Sequence, residues 1–115
     1  MRTLLTKAHL SETIAALSTA HGLRVSGKQT LQIATTLLFK NDSPLSEEYI
    51  LSHARSAIYC DFIHFGKPID QVVFLFFKAP NSYTGEDLAE FHLHGNPILL
   101  KKALAAIFDV GARPA

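Results

Sequence analysis

Apolar and polar residues alternate over several short stretches of this chain, which is the pattern expected of half-buried β-strands. The clearest stretch runs from Leu88 to His94. Its side chains point alternately to opposite faces, with Ala89, Phe91 and Leu93 on one and Glu90, His92 and His94 on the other. The run Val72 to Phe77 is apolar throughout and predicts a central strand covered on both sides.

The same pattern predicts further strands at Glu12 to Ser18, ending at Ala20-His21-Gly22, and at Leu23 to Ser26, Tyr49 to Ile63 and Ile69 to Lys78. The glycine in His64-Phe65-Gly66-Lys67-Pro68 predicts a hairpin connection between the last two.

Two segments have helical spacing. The first is predicted from Lys28 to Phe39, with an N-cap at Ser26-Gly27 and an inner stripe of Leu31, Ala34, Thr35 and Leu38; Asn41-Asp42-Ser43-Pro44 ends it. The second is predicted from Pro97 to Asp109, between an N-cap at Asn96 and a C-terminal cap at Gly111. The order β-β-α-β-β-β-α predicts a single α+β domain, with a mixed, mostly antiparallel sheet and two helices.

Composition narrows the class of protein. A chain of 115 residues with 48% hydrophobic residues can form one domain with a core. Its net charge of +1 gives no basic stripe for binding nucleic acid directly. The apolar run from Val72 to Phe77 is too short to cross a membrane. One cysteine, Cys60, fits a reducing compartment, so we expect a cytoplasmic chain without membrane contact.

Three chemical groups stand out. Glu90, His92 and His94 share a strand face and could form a zinc or iron site, although spacing alone favours a solvated face. The sequence alone predicts that Arg24 is a surface arginine on an edge strand. It predicts that Cys60 is a buried, inert thiol. No G-x-x-x-x-G-K-[ST] motif is present, so we expect no GTP hydrolysis by these residues.

The segment Ala79-Pro80-Asn81-Ser82-Tyr83-Thr84-Gly85-Glu86-Asp87, followed by Leu88 to Gly95, resembles a family signature. That signature, A-P-x-S-[YF]-T-G-E-D-x-x-E-[IL]-x-x-H-G, is typical of the N-terminal domain of the bacterial tRNA modification GTPase family MnmE/TrmE. Leu23-Arg24-Val25-Ser26-Gly27 is similar to the family's [IV]-x-R-[IVL]-S-G segment. The resemblance implies a fold like the folate-binding domain of the glycine-cleavage aminomethyltransferase.

The resemblance also implies site residues. Glu90 would bind a tetrahydrofolate, because a carboxylate can accept both hydrogen bonds from the guanidine-like edge of a pterin. Arg24 would either hold a carboxylate of the folate tail or orient Glu90. Tyr83, Thr84 and Gly85 would form the pocket wall. The resemblance assigns no catalytic residue and no metal ligand to this chain.

By resemblance, residues 1–115 are a folate-binding and dimerisation domain, or a fragment of it, without the family's helical and GTPase domains. The cofactor would be 5-formyl- or 5,10-methylene-tetrahydrofolate, whereas GTP, magnesium and potassium would belong to the GTPase domain. The resemblance implies a homodimer, in which the partner is a second copy of the chain. Through the full-length protein it also implies a flavin-dependent partner and, indirectly, tRNA. The wobble uridine of that tRNA receives a 5-carboxymethylaminomethyl group. We expect no catalysis by this domain alone.

Two alternatives stay open: a dimerisation module without a ligand, and a small metal-binding enzyme using Glu90, His92 and His94. The first gains weight from two departures from the family. Only Ala20-His21-Gly22 stands where the family has a T-P-P-G-x-G-G loop, and the family's downstream folate-binding lysine has no counterpart in these residues.

Overall fold

The computed structural model describes residues 4–5, 20–80, 85–94 and 97–114. Its strands are β1 (Leu4–Leu5), β2 (Ala20–Ser26), β3 (Leu38–Lys40), β4 (Ser43–Pro44), β5 (Ile58–His64), β6 (Lys67–Phe77), β7 (Leu88–His94) and β8 (Arg113–Pro114). Its helices are α1 (Thr30–Leu37), α2 (Glu47–Ser52) and α3 (Pro97–Asp109).

All described strands join one sheet in the order β4-β3-β5-β6-β7-β2-β1-β8. The pairing of β1 with β8 is parallel, and every other neighbouring pair is antiparallel. The predicted α+β class with a mixed, mostly antiparallel sheet is therefore confirmed. The hairpin predicted between His64 and Pro68 is also confirmed, with Phe65 and Gly66 between β5 and β6.

One face of this sheet carries the hydrophobic core. In the central strand β6, Val72, Phe74 and Phe76 are buried, whereas the three apolar residues between and after them are only partly buried. The strand is central, as its apolar run predicts, but among the described residues only one of its faces is completely covered. The other face of the described sheet therefore carries a mixture of buried, partly buried and exposed side chains.

Helices α1 and α3 pack against the apolar face and contribute to the same core. Their buried residues are Thr30, Ile33, Ala34 and Leu37 in α1, and Ala103, Ala106 and Ile107 in α3. Helix α3 begins at Pro97 and ends before Gly111, as predicted. Gly111 has φ +127°, and the next amide, that of Ala112, donates back to the carbonyl of Ile107 at 3.2 Å, which is a Schellman-type cap.

The predicted bounds of the first helix are wrong at both ends. Gln29 stands at its N-cap without a side-chain hydrogen bond, and Ser26 is instead the last residue of β2. At the other end, Leu38 leaves the helix and pairs with Phe62 of β5. Leu38 is completely buried in this extended conformation, so strand pairing and burial outweigh its helical spacing.

The strand predicted from Tyr49 to Ile63 is wrong in its first half, where the chain forms α2. The hydroxyl oxygen of Ser46 accepts a hydrogen bond from the amide of Tyr49 at 3.1 Å, which caps the helix. Glu47 and Glu48 lie in the first turn, where negative charge is favoured by the helix dipole. Ile50 then fills the core from this helix.

Two further predictions concern the start of the chain. The strand predicted at Glu12 to Ser18 lies outside the described residues. The strand end predicted at Ala20-His21-Gly22 is wrong, because these residues belong to β2 and pair with His94, Leu93 and His92 of β7. In the described part of the chain, no helix has the length and apolar character needed to cross a membrane.

Candidate functional site

The candidate site lies on the face of the sheet opposite helices α1 and α3, where β2, β7 and β6 run side by side. Glu90 of β7 is directly opposite Arg24 of β2 and, on its other side, Leu75 of β6. Directly paired residues of antiparallel strands point to the same face. The register therefore brings together Arg24 and Glu90, two residues 66 positions apart that the sequence singles out separately.

Arg24 and Glu90 form a short ion pair. Nε of Arg24 donates to Oε2 of Glu90 at 3.0 Å, and the two side chains are 22% and 10% exposed. Charged hydrogen bonds of this kind are stronger than neutral ones, and burial limits their screening by salt. Of the two roles considered for Arg24, orienting Glu90 is the one that requires this ion pair.

His92 fixes the second oxygen. Its Nε2 lies 3.1 Å from Oε1 of Glu90, two residues along the same strand and on the same face. An ionised carboxylate can only accept hydrogen bonds, so Nε2 of His92 is the protonated nitrogen in this contact. Glu90 is thus held between a guanidinium and an imidazole, one on each oxygen.

These contacts keep Glu90 ionised. The hydrogen bond from His92 and the positive charge of Arg24 lower the pKa of Glu90 below its ordinary value of 4.5, although burial alone would raise it. Each carboxylate oxygen has two lone-pair directions, and the contacts with Arg24 and His92 use one on each. The arrangement can therefore still accept a pair of parallel hydrogen bonds from a planar donor edge.

His94 takes a different partner. Oδ2 of Asp70 accepts from the backbone amide of His94, and Oδ1 lies 2.8 Å from its Nδ1. His94 is mostly exposed and bound to β6 rather than to Glu90. Within the residues that the structure describes, no group of three or more histidine, cysteine or acidic side chains could hold a metal ion, so the structure does not support the Glu90/His92/His94 metal alternative.

The predicted pocket wall is described only in part. Tyr83 and Thr84 lie outside the described residues. Gly85 is exposed and has φ +76°, a backbone conformation that favours glycine.

The motif's last residue, Asp87, anchors this turn to the sheet. Its Oδ1 accepts from the amide of Ala79 at 3.0 Å, and its carbonyl accepts from the amide of Gly27 at 3.0 Å. The family signature therefore joins the end of β6 to the end of β2, beside the strand pair that carries Arg24 and Glu90.

Cys60 takes no part in this site. It is buried on the apolar face, and burial, assisted by Asp61, raises the pKa of its thiol from 9.0 to about 12, although Lys40 acts in the opposite direction. A thiol with so high a pKa is not a nucleophile at neutral pH. The prediction that this thiol is buried is confirmed.

Sequence reasoning missed two contacts at the candidate site. It placed His92 on the face of Glu90 but assigned it to a metal set, whereas the structure makes it the second support of the carboxylate. It gave no role to Asp70, whose contact with His94 depends on strand pairing across 24 residues. The i, i+2 spacing on β7 was a usable signal for His92, but no local signal exists for Asp70.

Comparisons with known proteins identify the family of the chain. Residues 13–115 match the model of the family described as GTP-binding protein TrmE N-terminus. The chain is 61% identical over 110 residues to the tRNA modification GTPase MnmE of Leptospira biflexa, covering 90% of this chain and 24% of that protein. It is 52% identical over 112 residues to the protein of the same name from Leptospira interrogans (92% and 24%), and 36% identical over 110 residues to that of Helicobacter pylori (90% and 22%).

The fold and the site define a class of protein. It is an α+β domain with a paired arginine and glutamate on the sheet face opposite helices α1 and α3. The match over nearly the whole chain makes it a member of the TrmE N-terminus family. The chain spans about a quarter of the length of the curated relatives it matches.

Proposed function

We propose that this chain binds a tetrahydrofolate at Glu90 and forms a homodimer, as the N-terminal part of a tRNA modification GTPase. In this role the ligand is 5-formyl- or 5,10-methylene-tetrahydrofolate, the donor of a one-carbon unit to the wobble uridine. Nucleotide hydrolysis and the contacts with tRNA and a flavin-dependent partner belong to the whole protein. The matched relatives support the tRNA-modification part of this proposal, since each carries that name.

The observation that carries the folate part is the double support of the Glu90 carboxylate. Arg24 and His92 hold one oxygen each, at 3.0 and 3.1 Å, so the carboxylate does not need to be ordered when a ligand arrives. Its lowered pKa keeps it ionised at neutral pH. A fixed, ionised and largely buried carboxylate is suited to the two adjacent donors of a pterin ring.

Burial adds selectivity to this arrangement. Glu90 is 7% exposed, so a ligand that lacked one of the two donors would leave a carboxylate oxygen short of a partner away from water. Such a site rejects analogues more strongly than an apolar pocket of the same shape can. We therefore expect preference for reduced pterins with an intact amino-pyrimidine edge.

Calorimetric titration of 5-formyltetrahydrofolate into the chain tests the proposal, with Glu90→Gln as the variant. Glutamine keeps the size of the side chain but turns one acceptor into a donor, which opposes a donor on the ligand, so we expect at least a tenfold loss of affinity. Glu48→Gln, an exposed change on α2, is the matched control and should bind as the unaltered chain does.

Sizing of the same samples by light scattering tests the dimer separately. A dimer with saturable binding that is lost in Glu90→Gln supports both parts of the proposal. A dimer without measurable affinity for the ligand would instead favour the dimerisation module, and equal binding by Glu90→Gln and the unaltered chain would exclude Glu90 as the pterin contact.

A further inference from the structure

A groove lies between the β5–β6 hairpin and helix α3, on the side of the sheet opposite Glu90. It encloses about 650 Å³, with the hairpin as one wall and the outer side of α3 as the other. Its charged and aromatic lining residues are His64, Phe65, Lys67, Lys102 and Asp109. We call it the Phe65 groove, after the exposed residue at its rim.

A contact between the two walls closes one end of the Phe65 groove. Nε2 of His64 lies 3.0 Å from Oδ2 of Asp109, although the two residues are 45 positions apart in the chain. The imidazole of His64 therefore lies on the α3 side of the hairpin. Asp109 is the acid in the lining, and this contact occupies one of its two carboxylate oxygens.

Strand register and helical spacing bring two lysines to the same groove. Lys67 pairs directly with His64, and directly paired residues of antiparallel strands point to the same face, so Lys67 also points toward α3. Lys102 precedes Asp109 by almost two full helical turns, which places both on the same side of α3. In the described part of the chain, no ion pair engages either ammonium. The lining therefore carries an excess of positive charge.

An aromatic ring stands at the rim of the groove. Phe65 is 83% exposed on the hairpin turn, and its ring centroid is 4.3 Å from that of His64. A ring this exposed can stack on a planar ring of a ligand. Between the two walls, the partly buried Ile69 and Leu99 give the groove an apolar floor. The groove thus offers a stacking surface next to two cations.

We propose that the Phe65 groove binds single-stranded RNA, with a base stacked on Phe65 and backbone phosphates at Lys67 and Lys102. The inference rests on the proposed function, because it locates in this chain one of the contacts with tRNA that the whole protein makes. A positively charged groove with an aromatic stacking surface is the general basis for binding single-stranded nucleic acid. The net charge of +1 is an average over the chain, whereas these cations are gathered by folding from a hairpin and a helix.

Fluorescence anisotropy of a labelled anticodon stem-loop RNA, at low ionic strength, tests the proposal. Phe65→Ala should weaken binding by roughly tenfold, because it removes a stack between a base and an aromatic ring. Phe65→Tyr keeps a stacking ring and should bind as the unaltered chain does. Lys67→Met and Lys102→Met should each weaken binding by about threefold and reduce the slope of log affinity against log salt by about 0.7.

Matched controls separate this groove from general effects. Tyr59→Ala removes an aromatic ring that is 70% exposed outside the groove, and Lys28→Met removes an exposed charge between β2 and α1. Both variants should bind the stem-loop as the unaltered chain does. A fully paired RNA duplex should bind more weakly, because its bases are not available to Phe65. Polyglutamate, which carries negative charge without rings, should compete poorly with the stem-loop.

The outcomes divide clearly. Loss of binding in Phe65→Ala that is restored in Phe65→Tyr supports the RNA contact. Unchanged binding in Phe65→Ala, effective competition by polyglutamate, or no binding of RNA by the unaltered chain each overturns it. None of these results bears on the folate titration, so the proposed function at Glu90 stands or fails separately from this groove.

Discussion

The two faces of strand β7 have different roles in this domain. On one face, Phe91 and its apolar neighbours are buried against β6 and the helices, and they hold the sheet together. On the other face, Glu90 and His92 form a charged cluster with Arg24. Since a strand alternates its side chains, a single seven-residue segment serves both purposes. Substitutions on the two faces should therefore have different consequences. Three measurements test this difference between the faces.

The largest effect is expected on the apolar face. Phe91→Ala removes a completely buried ring that contacts Phe62 and Phe74, with ring centroids 5.8 and 5.1 Å away, and should lower the free energy of unfolding by about 3–5 kcal/mol. Urea unfolding followed by circular dichroism measures this change. Tyr59→Ala removes an aromatic ring from the opposite face and should change stability by about 0.5 kcal/mol or less.

Equal losses of stability in these two variants would contradict the division between the faces. They would show that the open face is covered to a similar degree in solution.

The second effect concerns chemical reactivity on the same apolar face. Because the pKa of Cys60 is raised to about 12 from 9.0, its thiolate should be about a thousandfold scarcer than in the unfolded chain at pH 8. Labelling with a disulfide reagent such as DTNB should therefore be at least that much slower in the folded chain than in urea. A folded-state labelling rate within tenfold of the unfolded one would mean that this side of the sheet opens readily.

The smallest effect is expected on the charged face, and it depends on pH. The pKa of Glu90 is lower in the folded chain than its ordinary 4.5, so the ionised carboxylate stabilises the fold above about pH 4.5. That stabilisation is lost as the pH falls through the lowered pKa. At pH 7, Glu90→Gln should cost about 2 kcal/mol, the contribution expected of hydrogen bonds to a charged group.

Urea unfolding between pH 3 and 7 measures this pH dependence, with Asp42→Asn as the exposed control. The difference between Glu90→Gln and the unaltered chain should shrink as the solution becomes acid. A constant difference across the range would show that the role of Glu90 in stability does not involve its charge.

The sequence predicted the parts of the fold that depend on local pattern. The alternation in β7, the glycine turn after β5, and α3 with Pro97 at its start and Gly111 after its end follow from rules that act over a few residues. Leu38 was assigned to a helix because its pairing with Phe62 is set by residues 24 positions away. The helix α2 had a local signal, the cap at Ser46. It was overlooked because the β-branched and aromatic residues after Tyr49 favour a strand.

The same distinction applies to the site. Arg24 and Glu90 were selected by resemblance to family motifs, and their contact needed the antiparallel register of β2 and β7. The contact between His94 and Asp70 has no local signature, because it joins β7 to β6 across 24 residues. Chemistry that depends on one strand was visible in the sequence, whereas chemistry that depends on several strands required the structure.

One edge of the described sheet bears on how two copies of the chain could associate. The strand at this edge, β4, is two residues long, and its second residue is Pro44. Proline has no amide hydrogen to donate, so β4 offers little for a further strand to join. Growth of the described sheet at β4 by strand addition, a common route to both dimers and fibrils, is therefore disfavoured. Two copies that met at this end of the sheet should instead associate through side chains.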